Sequence, residues 1–266
     1  MKDIETIIEA AEEAGTYLKK MFRRGVQVRK KGAIDLVTDA DVNSETILIK
    51  RLKDHFPYPI IGEETATNIA ASGTYFLVDP LDGTTNFTRR IPFYAVSIAL
   101  MDGLYPVAAV VHLPEFKETY FAIKEGGAYV KKKDQKIRIS VSNTELLSDS
   151  VLATGFPYDV WSNYQPVLAS LKAMLTGARA LRRFGSAAID LCLVANGIFD
   201  GYFEFSLKPW DTAAGALIVE EAGGRVTNLK GERFNPFMKE IAATNGKIHD
   251  DLLKRINKEL GGPPAG

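Results

Sequence analysis

Tyr75-Phe76-Leu77-Val78-Asp79-Pro80-Leu81-Asp82-Gly83-Thr84-Thr85-Asn86-Phe87 decides how this chain is read. Four consecutive apolar residues running into a Pro- and Gly-containing turn predict a buried strand that ends at Val78. Two carboxylates three residues apart follow, straddling Pro80-Leu81, and Gly-Thr-Thr comes next. Such a strand end suits a hard cation beside a phosphate. Carboxylates and backbone carbonyls are the ligands magnesium takes, and amides and hydroxyls past a glycine meet anionic oxygens. A carbonyl ligand would also explain an apolar Leu81 in a polar loop. Alone, Asp-x-x-Asp-Gly is an ordinary solvated turn.

Three further acidic segments give it company. Ile60-Ile61-Gly62-Glu63-Glu64 is a second apolar run ending in carboxylates at a glycine. Pro209-Trp210-Asp211-Thr212-Ala213-Ala214-Gly215 opens a helical pattern with an aspartate. Asp35-Leu36-Val37-Thr38-Asp39-Ala40-Asp41 sets acids and a hydroxyl ahead of an amphipathic stretch. Each is weak by itself, since Asp and Thr are common helix N-caps. Together they supply Glu63 or its neighbour Glu64, Asp79, Asp82 and Asp211 as candidate metal ligands, with the Leu81 carbonyl between the turn aspartates. Few carboxylates suffice for magnesium, which keeps several waters. Two such ions can clamp the attacking and leaving oxygens of a phosphate ester and acidify a bound water.

The bulk composition narrows the field. The 266 residues carry a formal net charge of zero, with 25% charged side chains. No basic stripe interleaved with aromatics occurs, so nucleic acid is not expected as a partner. Lys131-Lys132-Lys133 reads as a hairpin tip or a guard on an edge strand. The single cysteine, Cys192, falls among Ile189, Leu191 and Leu193 and reads as a buried structural thiol. His55, His112 and His249 do not form a set, and no Cys/His cluster, serine elbow or P-loop is present, which disfavours zinc and nucleophilic serine. No basic region precedes a long apolar stretch at the start, and the apolar runs 95–101 and 107–113 are too short for a bilayer. No membrane association and a cytoplasmic location are therefore expected.

In their combination and order these segments resemble the inositol monophosphatase family of magnesium-dependent, lithium-sensitive phosphatases. Its two signatures look like 79–87 and 210–215, and the likeness runs from about Ile4 to the final helix. The resemblance implies an α+β fold, a layered α-β-α-β-α sandwich of the inositol monophosphatase/fructose-1,6-bisphosphatase type. It implies that Glu63, Asp79 and the Leu81 carbonyl hold an activating metal, and that Asp79, Asp82 and Asp211 hold a second, Asp79 bridging. Two or three magnesium ions per site are implied, with manganese as a substitute and lithium inhibitory.

Further roles follow from the same resemblance. Glu63 would orient the attacking water, with Glu64 its competitor. Thr84 would hydrogen-bond that water and Asp41 would polarise Thr84, unless Asp41 is simply the N-cap of the second helix. Lys30 matches a lysine beside a loosely held metal; Lys31 competes with it, and a solvated basic run is the plain alternative. Asp82, Gly83 and Thr84, with Thr85 beside them, would meet the phosphate, while Asn86-Phe87 fixes the turn. Gly185, Ser186 and Ala187 resemble the substrate loop, although Ser186 could be an ordinary N-cap. Glu204, an acid among Tyr202, Phe203 and Phe205, would accept from inositol hydroxyls. Arg182, next to Arg183, could meet a second phosphate.

The implied activity is hydrolysis of small polyol phosphate monoesters, myo-inositol 1-phosphate first. Fructose 1,6-bisphosphate and 3′-phosphoadenosine 5′-phosphate are the alternative substrates. A regulatory partner of the transcription apparatus is the non-enzymatic alternative. Members are commonly homodimers, and the strands at 96–112 could serve an interface or the core. Periodicity predicts an opening helix ended by Gly25, a helix after Asp41, an antiparallel meander over 75–129 and a hairpin at 131–140. Alternating strands and helices then run to a closing helix at 249–260. We divide the chain into an N-terminal sub-domain (1–145) with most metal ligands, a C-terminal one (146–260) with the substrate loop and Asp211, and a flexible tail (261–266). The site is expected in the cleft between the two sub-domains.

Overall fold

The computed structural model describes residues 2–25, 28–30, 36–65, 72–133, 135–157 and 160–261. Lys31, the Lys30 side chain and residues 262–266 of the expected tail lie outside the described residues. The opening periodicity becomes α1 (Lys2–Arg24), ended by Gly25 in the left-handed region at φ 87°. β1 (Val28–Lys30) pairs antiparallel with β2 (Leu36–Thr38), and α2 (Asp39–Lys53) follows. Next come β3 (Ile60–Gly62), β4 (Thr74–Asp82) and the short α3 (Thr84–Thr88). The meander is β5 (Ala95–Asp102), β6 (Tyr105–Leu113), β7 (Glu118–Ile123), β8 (Gly127–Lys132) and β9 (Gln135–Arg138). β3 to β9 form one seven-stranded sheet in chain order, parallel only between β3 and β4.

The second half contains β10 (Val151–Thr154), α4 (Gln165–Leu175), β11 (Ala180–Arg182), α5 (Ala187–Ala195) and β12 (Gly201–Phe205). It closes with α6 (Pro209–Glu221), β13 (Arg225–Thr227), β14 (Glu240–Thr244) and α7 (His249–Glu259). Its sheet has the order β11-β10-β12-β14-β13, with β10 parallel to both neighbours.

Strand alternation sorts the apolar side chains into layers. Phe76, Val78, Ile98 and Val110 pack with Ile8 of α1 and Leu48 of α2. From the opposite face, Tyr75, Leu77, Met101 and Val111 meet Leu191 and Leu217 of α5 and α6. Those two helices also contact Ala153, Tyr202 and Ala243 of the second sheet. Leu152, Phe203 and Ala242 face outward onto Met174 of α4 and Leu252 of α7. The result is the α-β-α-β-α sandwich. α5 and α6 are apolar nearly all round because they lie between two sheets. β5 and β6 are central strands, and Val96, Ile98, Val110 and Val111 are core side chains.

Candidate active site

The strand expected to end at Val78 continues to Asp82, and it does so through a bulge. Asp79 pairs with Ser97 and Asp82 with Ala95, three steps on β4 against two on β5. Pro80 sits in the irregularity, where its missing N–H costs no ladder bond. In an unbroken strand, residues three apart point to opposite faces. The extra residue cancels that alternation, and both carboxylates line one pocket. Ser44 of α2 braces the turn by donating to the Pro80 carbonyl at 2.8 Å, and Leu81 N donates to Asp79 Oδ1 at 2.9 Å. Gly83 then turns at φ 91°, where a Cβ would press on the Phe93 carbonyl.

The second half of the chain completes the pocket. Ser186 is the N-cap of α5, accepting from Ile189 N at 3.3 Å, and its hydroxyl donates to Asp82 Oδ2 at 2.6 Å. Ala188 N donates to the same oxygen at 2.7 Å, so Asp82 lies at the positive end of α5. Ser186 is thus both the N-cap and a pocket residue. Asp211, in the first turn of α6, accepts from Lys208 N at 2.8 Å and lines the pocket with Glu63. Glu63 lines it and Glu64 does not; Glu64 N is held by Glu45 Oε2 at 2.9 Å. Asn86 ties the halves together, its amide donating to the carbonyls of Phe93 and Phe184, both at 2.7 Å.

Asp41 turns out not to be the N-cap. Thr38 is, and Asp41 completes a capping box by accepting from Thr38 N at 2.7 Å and Thr38 Oγ1 at 2.5 Å through Oδ2. Its other oxygen accepts from Thr84 Oγ1 at 3.0 Å. The cap and the Thr84 contact therefore coexist on one carboxylate.

On the far wall, buried Glu204 accepts from Tyr202 Oη and packs against Gly155. Burial pushes its pKa up to about 7; the Tyr202 hydrogen bond pulls it down, Asp82 pushes it up and Arg183 pulls it down. Arg182 is a correction. It ends β11 exposed, donating to the Leu181 carbonyl, and its neighbour Arg183 lines the pocket instead. Adjacent residues of an extended segment point to opposite sides, so the pair had to split. Asp190 on α5 escaped the sequence reading. It is 1% exposed, and its Oδ1 has no hydrogen-bond partner among the described residues. Burial, then Glu204 and Asp82, raise its pKa well above the usual carboxylate range.

The same electrostatics decide whether the donor set fits a metal. Burial raises Asp79 well above its ordinary value, and Glu63, Asp82 and Asp211 raise it further. Asp211 is raised by burial, then by Glu63 and Asp82. Asp82 is pushed up to about 6 by burial, against hydrogen bonds from Ser186 and Ala188. Four hard oxygen donors of like charge thus share one partly buried pocket, an arrangement that a divalent cation relieves. Among the described residues no three His, Cys, Asp or Glu side chains stand grouped closely enough to hold a metal ion as they lie. Carboxylates spaced around a pocket suit magnesium, which retains waters, better than zinc.

A five-layer sandwich with four carboxylates around one pocket carries the oxygen donors that a metal-dependent phosphatase needs. The sequence profile of the inositol monophosphatase family matches residues 2–260, and the chain belongs to that family. It is 36% identical over 260 residues to the Nus factor SuhB of Haemophilus influenzae, covering 96% of this chain and 95% of that protein. It is 36% identical over 267 residues to a fructose-1,6-bisphosphatase/inositol-1-monophosphatase of Aquifex aeolicus, covering 98% of each. The crystal structure of the extragenic suppressor protein suhB from Bartonella henselae superposes with a TM-score of 0.90 at 38% identity, covering 97% of this chain and 99% of that one. Among the described residues, no helix is long and apolar enough to cross a membrane.

Proposed function

We propose that the chain hydrolyses small polyol phosphate monoesters, myo-inositol 1-phosphate first, to the polyol and phosphate. The observation that carries this reading is the single pocket joining Glu63, Asp79, Asp82 and Asp211 to Thr84 and Glu204. Glu63, Asp79 and the Leu81 carbonyl would hold one magnesium, and Asp79, Asp82 and Asp211 a second. Bound there, the ions supply charge neutralisation for the phosphate and acidify a water. Thr84 donates its one proton toward Asp41, leaving its lone pairs to accept from a water in the pocket and orient it. Glu63 faces the same space as a second acceptor. The Gly185–Ala187 backbone and Glu204 read the polyol, Glu204 by accepting from its hydroxyls.

The pocket lies between the 1–145 and 146–260 sub-domains in this reading, and the protein acts as a homodimer. Exposed Trp161, Leu168 and Leu175, in and before α4, give an apolar face that suits such pairing. A second substrate is favoured by Arg183: a guanidinium on the pocket wall fits the distal phosphate of fructose 1,6-bisphosphate. The SuhB relative's name supports a second role with the transcription machinery, separate from hydrolysis. A panel of phosphate esters assayed with magnesium, with and without lithium, tests the enzymatic reading. Magnesium-dependent, lithium-inhibited turnover with a preference for inositol 1-phosphate is expected, and no turnover on any ester would refute it.

A further inference from the structure

A second cavity, of about 470 Å³, shares no lining residue with the carboxylate pocket and lies between α1 and the β6–β9 side of the large sheet. Glu12, Gly15, Thr16 and Lys19 of α1 line one side, at the i, i+3, i+4 and i+7 spacing of a single helix face. This face is polar and flanks the apolar stripe of Ile8, Ala11, Ala14 and Leu18 that packs on the sheet. His112 and Thr119 form the floor, and Lys117, Lys131 and Lys133 come from the β6–β7 turn, β8 and the β8–β9 turn.

Four ammonium groups therefore face one carboxylate, and that carboxylate is already taken. Lys131 Nζ binds both Glu12 oxygens, at 2.9 and 3.0 Å, and Thr119 Oγ1 donates to Glu12 at 3.0 Å. Among the described residues, Lys19 Nζ donates to the Pro114 carbonyl alone, at 3.2 Å. Lys117 and Lys133 make no ion pair with any described residue, whereas Lys132, between the two pocket lysines, turns away to Glu118 at 2.8 Å. The space itself is shaped by sequence. A Cβ at Gly15 would overlap the His112 ring, so a helix-weakening glycine is what lets α1 close over this floor. Lys19 and Lys131 also help hold the buried His112 neutral.

We propose that this cavity is a binding site for a small polyanion carrying more than one phosphoryl group, distinct from the catalytic pocket. Lysine is a point-charge phosphate binder with three donors, and the volume lies within the range of small-molecule sites. The triple lysine is a hairpin tip, as its sequence suggests, but Lys131 and Lys133 are aimed at a ligand and only Lys132 serves the sheet edge.

The test uses inorganic pyrophosphate and the full-length protein in a metal-free, low-salt buffer, with calorimetry for stoichiometry and NMR of the His112 ring for location. Saturable binding is expected at one site, weakening with salt and shifting the His112 resonances. Lys117→Gln and Lys133→Gln should each weaken it several-fold, and together by about tenfold or more. Lys132→Gln, next in sequence with the same charge change, should leave it nearly unchanged, as should Arg183→Ala in the catalytic pocket. Thermal unfolding of each variant checks the fold. No saturable binding, binding that leaves His112 unmoved, or equal losses in Lys132→Gln and Lys133→Gln would each overturn the proposal.

Discussion

Ser186 Oγ donates to Asp82 Oδ2 at 2.6 Å, joining the turn that closes β4 to the first turn of α5, 104 residues further along the chain. One oxygen of a carboxylate that lines the pocket is thereby spent on positioning, and the other is left for the pocket. Because Ser186 also caps α5, it couples the geometry of the acid cluster to the helix layer between the sheets. Ser186→Ala removes both the donor to Asp82 and the acceptor for Ile189 N. A lost N-cap costs on the order of 1 kcal/mol, so a Tm drop of about 2–4 °C is expected for a chain of this size. Differential scanning calorimetry reads it, and an unchanged Tm would mean that Ser186 does not anchor the helix.

The Thr84–Asp41 hydrogen bond separates orientation of water from binding of the ester. Thr84→Ala should lower kcat for every phosphate ester by about 10²-fold, the scale of a lost proton-handling contact, with KM little changed. Thr84→Ser, which keeps the hydroxyl, should recover most of it. Asp41→Asn also loses part of the Thr38 capping box, so its lower activity should come with a measurable fall in stability. A Thr84→Ala enzyme that loses activity through KM alone would place Thr84 in substrate binding instead.

Selectivity should reside across the pocket. Glu204 is buried, with Tyr202 as its only side-chain donor among the described residues, so removing it strands the substrate's hydroxyls. Glu204→Ala is expected to cost about 1–3 kcal/mol in kcat/KM for inositol 1-phosphate, the scale of an unpaired buried group. A small ester without a hydroxylated ring should be spared. Arg183→Ala should impair only a bisphosphate, and Arg182→Ala neither. Equal losses on all esters in Glu204→Ala would move that residue into the metal site or the fold.

His249 makes stability depend on pH in a definite direction. The ring is fully buried, with Thr227 Oγ1 at 2.8 Å from Nε2 and Thr244 Oγ1 at 2.9 Å from Nδ1. Thr227 donates to the Asn228 carbonyl at 2.7 Å, so its oxygen accepts from Nε2–H and Thr244 donates to Nδ1. The neutral ring is satisfied and the cation is not; burial, then Arg225, lower its pKa to about 4. His112 is lowered to about 4 by burial as well. Between these values and the ordinary 6.5 the two rings bind protons in the unfolded chain and not in the folded one, so their contribution to stability rises with pH there and is lost as pH falls from about 6.5 toward 4, opposite in sign to that of the raised pocket carboxylates. Each ring contributes on the order of 1–3 kcal/mol to that loss. Urea titrations at pH 7 and pH 4.5 measure it, and His249→Asn should flatten the slope.

Much of this was legible from local chemistry. Asp79, Asp82, Asp211 and Glu63 each follow an apolar run or open a helix, so the residues that end the elements are also those that line the pocket. The five layers came only through the resemblance, because periodicity tells which face is apolar and not what covers it. The bulge between Asp79 and Asp82 was hidden for a related reason: Pro80 breaks a ladder equally well by ending a strand or by bulging it. Arg182 and Arg183 could not be told apart until the end of β11 fixed the alternation. Asp41 was read as an N-cap, a partner of Thr84 or both; the cap is Thr38, and Asp41 accepts from Thr38 with one oxygen and from Thr84 with the other. Asp190 carries no local signal beyond that of any first-turn acid, and only the fold leaves its Oδ1 without a hydrogen-bond partner among the described residues.

If Asp82 belongs to a carboxylate set that acts through bound magnesium, Asp82→Asn must lose turnover while keeping the fold. The amide keeps an oxygen to accept from Ser186 and Ala188, so the cap survives while the negative charge is lost. Steady-state hydrolysis of inositol 1-phosphate across a magnesium titration, beside a thermal melt, is the measurement. We predict a Tm close to that of the unaltered protein and a turnover reduced by about 10²-fold or more at saturating magnesium. A variant that hydrolyses the ester at near-normal rate under those conditions would contradict the account.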